Sequence, residues 1–138
     1  MDISVHDNLI YGYLVNSDES KIILYTEYLD GGAEEYTDVV FSGVKAHYFE
    51  CVLFGRSNII LDISQQNPID IYQQQEAFFS IHKNYGWPFA YQSIDDLRQQ
   101  LEKNKIKGFK IWSSLGLSGW VWATDMEFLS RESKKKFT

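Results

Sequence analysis

His6, His47 and His82 are the side chains of this chain whose ordinary pKa puts a proton within reach at neutral pH. His6 and His47 stand in or beside strand-like segments, and Glu27 and Asp38 stand in two others. Brought together across neighbouring strands, they would form the general base and acid of a small hydrolase or nuclease. The same carboxylates offer the oxygen ligands a divalent ion takes. The spacing enforces neither arrangement. No two histidines lie three or four residues apart and no zinc pattern is present, so ordinary strand, core-edge or helix-surface positions are the simpler reading. No metal and no cofactor is expected. "GLSGW", residues 116–120, lacks the final glycine and the following helix of a nucleophile elbow, and reads as a hairpin turn. Cys51, in "YFECVLF", has no basic neighbour to stabilise a thiolate and reads as a small buried hydrophobe.

Charge is the stronger signal. The chain carries a net charge of -6, but residues 1–50 hold ten acids against two bases, while the remaining 88 residues hold eleven bases and nine acids. The acids gather where strands and turns are expected: Asp18 and Glu19 in one turn, Glu27, Asp30, Glu34, Glu35 and Asp38 around another. Such a face repels phosphate backbones, which excludes nucleic-acid binding through it, and attracts a cationic partner. The six tyrosines of the region would need interleaved Arg or Lys to stack on bases as sheet-based RNA readers do; acids stand there instead. Solvated loops are the alternative reading of the acids, and core packing that of most of the rings. Some tyrosines, Tyr36 among them, suit a protein interface. The end of the chain, "SRESKKKFT", is a basic segment, and residues 131–138 are expected to form a flexible tail.

These residues need a scaffold. At 138 residues, 44% of them hydrophobic, one domain over residues 1–138 with one core is expected. "LIYGYLV", "KIILYTEYL" and "NIILDI" have strand composition, with a bulge or a point of close approach expected at Gly12. "EEYTDVVFSGVKAHYFE" reads as one long strand kinked at Gly43, and "DGG" at 30–32 as the hairpin turn before it. "PIDIYQQQEAFFSIHKNYG" reads as one helix, and "SIDDLRQQLEKNKI" as a second with Ser93 as N-cap. "KGFKIWSS" and "GWVWATDMEFL" return to strands, with Trp120 and Trp122 on one face. The expectation is an α+β fold: a curved, mainly antiparallel sheet of about six strands, with two helices between strands four and five. No apolar run is long enough to span a membrane, and "MDISVHDNLIYG" lacks the basic start and apolar run of a secretory signal. With a lone cysteine, that suggests a cytoplasmic protein without a membrane partner.

The stretch "VHDNLIYGYLV...IILYTEY...EEYTDVVFSGVKAHYFE" resembles small bacterial proteins with "HDN...YG", "TEY" and "TDV.F.GV.A..FE" patterns, among them immunity proteins of polymorphic toxin and contact-dependent growth inhibition systems. The resemblance covers about a third of the chain, with an echo in "GWVWATDMEFL". It implies a non-enzymatic cytoplasmic antidote that binds one cognate basic toxin domain, often a nuclease, and occludes its active site. It supplies no contact residues. The residues expected to face the partner, from charge and position, are Asp18, Glu19, Glu27, Asp30, Glu34, Glu35, Tyr36 and Asp38. The alternative is the small hydrolase or nuclease built on His6 and His47.

Overall fold

The computed structural model describes residues 4–28 and 34–137. The "DGG" turn and Asp30 lie outside the described residues. Eight strands and three helices follow one another: β1 Leu9–Asn16, β2 Lys21–Tyr28, β3 Glu35–Ser42, β4 Ala46–Glu50, β5 Ile59–Gln66, α1 Pro68–Gln74, α2 Glu76–Lys83, α3 Ile94–Lys103, β6 Lys107–Leu115, β7 Ser118–Ala123 and β8 Asp125–Arg131. All pairings are antiparallel, in one sheet of order β4-β7-β6-β5-β1-β2-β3-β8.

The α+β class stands, but the expected six strands and two helices do not: the described residues form eight strands and three helices. The expected long strand breaks because Gly43 takes a left-handed φ of 62°. β3 then pairs with β2 and β8, while β4 pairs with β7. The last strand breaks opposite it at Thr124, whose N–H and hydroxyl both donate to the carbonyl of Ser42 at 3.0 Å. The expected single helix is interrupted at Gln75, where φ -117° and ψ 25° leave the helical region. Cys51 departs from expectation as well. It is exposed, with φ 61°, in the irregular loop after β4.

The end strands β4 and β8 continue inner strands β3 and β7, so the two ends of the sheet meet at the Gly43–Thr124 corner. Lys45 N–H donates to the Trp122 carbonyl there at 2.8 Å. The sheet therefore curls, and its inner surface closes on Ile22, Leu24, Val39, Phe41, Phe109, Ile111 and Val121, all at most 3% exposed. β1 carries the expected irregularity, a register shift between Ile10 and Gly12.

Strand alternation sends neighbouring residues to the outer surface. On β7, Val121 and Ala123 face inward while Trp120 and Trp122 face the helices, packing with Phe79, Leu97 and Leu101. Burying rings of this size contributes about 2–3 kcal/mol each. α1 and α3 start where the chain supplies caps: Asn67 accepts from the Ile69 N–H and Ser93 from the Asp96 N–H. Of the described helices, none is long and apolar enough to cross a membrane.

Candidate functional site

The outer surface of β2, β3 and β8 is unlike the Trp face. Cross-strand partners share a face, so the pairs Tyr25–Asp38, Glu27–Tyr36 and Tyr36–Arg131 set Tyr25, Glu27, Tyr36, Asp38 and Arg131 on one patch. Two segments distant in sequence cover it. The loop after β4 contributes Arg56, whose Nη2 donates to Glu27 Oε1 at 2.6 Å. The C-terminal segment crosses the other side: Lys134 Nζ lies 3.5 Å from the same oxygen, and the Lys135 N–H donates to the Tyr11 hydroxyl at 3.0 Å. The Phe137 ring then packs edge-on against Tyr11 and Tyr25.

This covering explains why two of the expected partner-facing acids are buried. Glu27 is 3% exposed and Asp38 8%. An unpaired carboxylate there would cost several kcal/mol of lost hydration, so each holds a cation. Arg131 meets Asp38 through Nε at 3.1 Å and Nη2 at 2.7 Å, a bidentate fork. The tyrosines respond to the same surroundings. Burial pushes the Tyr11 and Tyr25 phenols up from their ordinary range. Tyr36 is raised to about 12, chiefly because its hydroxyl donates to Glu34 Oε2 at 2.8 Å, a bond lost on ionisation.

Beside this patch opens a groove of about 920 Å³ between the end of β2, the start of β3 and the end of β8. Glu34, Glu35 and Glu132 line it, with Tyr28, Tyr36 and His6. Among the described residues none of these three carboxylates has an ion-pair partner, and Arg131, the cation in its wall, is already engaged by Asp38. The groove is consequently acidic. Asp18 and Glu19 sit apart in the exposed β1–β2 turn, where the Glu19 N–H and carboxylate are both held by Asn16.

The structure does not bring His6 and His47 together. His6 lines the acidic groove, with Nδ1 2.6 Å from the Leu61 carbonyl and Nε2 3.4 Å from Asp7. His47 lies on β4, lines a different groove and packs on Phe49. Burial lowers its pKa. His82 packs against Phe78 and Trp87 on the helical layer. Among the described residues, no cluster of three or more His, Cys, Asp or Glu is arranged to hold a metal ion.

Sequence reasoning passed over the loop 51–58. Phe54 at its tip is 95% exposed, while its base is held by buried Asn58, which donates to the Leu53 carbonyl and accepts from the Leu53 and Leu117 N–H groups. The loop shares a cleft of about 470 Å³ with Tyr11, Lys134 and Phe137. The signal was present in "LFGRSN", a bulky apolar residue inside turn chemistry.

No protein-family model, no curated protein and no solved structure matches this chain.

Proposed function

We propose that this chain is a non-enzymatic immunity protein of the cytoplasm, which binds and neutralises a cognate basic toxin domain by occluding its active site. The observation that carries the reading is the division of the acids. Glu27 and Asp38 are neutralised within the fold, whereas Glu34, Glu35 and Glu132 line an open groove without an ion partner among the described residues. A concave wall of one sign focuses its field outward and speeds encounter with a cationic surface such as the substrate groove of a nuclease. Tyr28 in the same wall, and exposed Phe54 on its braced loop, supply the aromatic surface on which interface energy concentrates, while Tyr36, 9% exposed, holds Glu34 in place from beneath.

The test is binding to a toxin domain, to be sought in the neighbouring reading frame. The combined reversal Glu34→Lys, Glu35→Lys and Glu132→Lys should slow association at least tenfold at low salt and flatten its salt dependence. Association at the unaltered rate would remove the groove from the interface.

The hydrolase reading keeps one supporting observation, the presence of His6 in a groove with Glu34 and Glu35. Both ring nitrogens of His6 already face partners, the Leu61 carbonyl and Asp7, which favours a positioning role for the ring. Phosphodiester cleavage that disappears in a His6→Ala variant would reverse that preference.

A further inference from the structure

The patch on β2, β3 and β8 is a cation site with an occupant, and the occupant is this chain's own C-terminal segment. Glu27, nine-tenths buried and more, holds Arg56 at 2.6 Å through Oε1 and offers the same oxygen as a second cation position to the Lys134 ammonium 3.5 Å away, which also stands 4.8 Å from the centre of the Tyr11 ring. Three residues on, Phe137 lies on Gly12, where a side chain would collide with it: a Cβ built there would come within 2.6 Å of Cζ. The absence of a side chain at residue 12 is what makes the seat for that ring. Tyr11 and Tyr25 close its sides, with centroid distances of 6.1 and 5.3 Å.

The attachment is slight for so developed a site. Phe137 remains 55% exposed and the Lys134 side chain 42% exposed, and apart from Lys135 N–H to Tyr11, residues 132–137 make no backbone hydrogen bond to the sheet among the described contacts. Contacts of this kind hold a segment by effective concentration, in the millimolar range for a short tether, more than by intrinsic affinity. A segment with those properties is displaceable.

We infer that this patch is a second docking site, on which the chain's Lys134–Phe137 strap stands in for a partner segment carrying a lysine or arginine followed by an aromatic residue. The strap keeps Glu27 and the tyrosine rings covered until such a segment takes its place. The chemistry of the occupant follows from the site: a buried carboxylate beside a ring face selects an ammonium or guanidinium, and a glycine-floored slot between tyrosines selects a flat ring. The inference rests on the reading of this chain as a binder of cationic proteins, and adds which segment of the partner is gripped and what holds the site in reserve.

The probe is a fluorescent peptide of sequence SKKKFT, the chain's own residues 133–138, added in trans and followed by anisotropy. The full-length Lys134→Ala, Phe137→Ala variant, its strap released, should bind it at least tenfold more tightly than the unaltered chain. Adding Glu27→Gln or Gly12→Ala to that variant should abolish the gain, because one removes the charge and the other fills the ring slot. As a second readout on a chain with every strap contact in place, 4-fluorophenylalanine at position 137 should show its 19F resonance move to the free position under excess peptide. Equal affinity of the released and unaltered chains, or a 19F signal that excess peptide leaves in place, would overturn the inference. Either result would leave the acidic groove reading standing, since that is tested by groove reversals and a toxin domain.

Discussion

Lys134 sets its ammonium 3.5 Å from Glu27 Oε1 on β2, although the two stand 107 positions apart in sequence. Together with Arg56 and Glu27, and with Arg131 and Asp38, it shows where part of the charge asymmetry goes. The acidic half-chain meets the basic end of the same molecule, and Glu34 and Glu35 are among the acids left outward, in the groove they share with Glu132.

The Arg131–Asp38 fork joins β8 to β3 on the outer face. Removing the guanidinium leaves Asp38 buried without a cation. Arg131→Ala should therefore destabilise the fold by about 1–3 kcal/mol, below the roughly 3–5 kcal/mol of a fully buried pair because the arginine is itself partly exposed. Arg131→Lys should recover part of the loss, since it restores charge without the fork. Thermal denaturation of the three proteins gives the order.

Tyr36 ionises at about 12 in the fold, against about 10 for a free phenol. A proton held more tightly in the folded state favours folding at every pH below the unfolded value, and that contribution is lost as pH rises from about 10 through about 12. Glu34→Gln removes the acceptor's charge, and should move one tyrosine of the absorbance titration back towards the ordinary range. An unchanged alkaline limb would mean that the Tyr36–Glu34 bond is not formed in solution.

His47 runs in the opposite sense. Burial lowers its folded pKa, so the unfolded chain takes up the proton first. Its contribution is complete above the unfolded value of about 6.5 and is lost as pH falls through that value towards the lower folded one. His47→Gln should flatten stability across that window, measured by urea midpoints between pH 7 and pH 5.

Gly43 holds the corner where β3 becomes β4. Its φ of 62° is strained for any side chain, and a Cβ there would land on the Thr124 side chain. Gly43→Ala should cost about 1–3 kcal/mol and loosen the ends of β4 and β8 first. Amide exchange at Lys45 and Thr124, the two N–H donors of the corner, reports it directly.

What could be read in the sequence was what depends on near neighbours. Alternation puts Val39 and Phe41 on one side of their strand and Trp120 and Trp122 on one face of theirs; the structure makes the first the inner side and the second the helix-covered one. Ser93 and the two aspartates after it marked the start of α3. The breaks were harder, because Thr124 is a good strand residue and Gln75 a good helix residue. Each is interrupted by a tertiary demand, the corner bonds to Ser42 in one case and the turn between α1 and α2 in the other. For the site, Glu34, Glu35 and Tyr36 do come together in one groove. Glu27 and Asp38 are turned inward by partners 29, 93 and 107 residues away, a pairing that no local pattern carries.

On the proposed reading, Glu34, Glu35 and Glu132 of the groove steer and hold a basic toxin domain. Stopped-flow association with a cognate toxin domain, at ionic strengths from about 0.02 to 0.5 M, is the measurement that decides it, because screening shortens the reach of surface charge from tens of ångströms to a few. The account predicts an association rate that falls steeply with salt in the unaltered chain, and a slow, nearly salt-independent rate when Glu34, Glu35 and Glu132 are reversed to lysine. Association that ignores both salt and the reversals would contradict it.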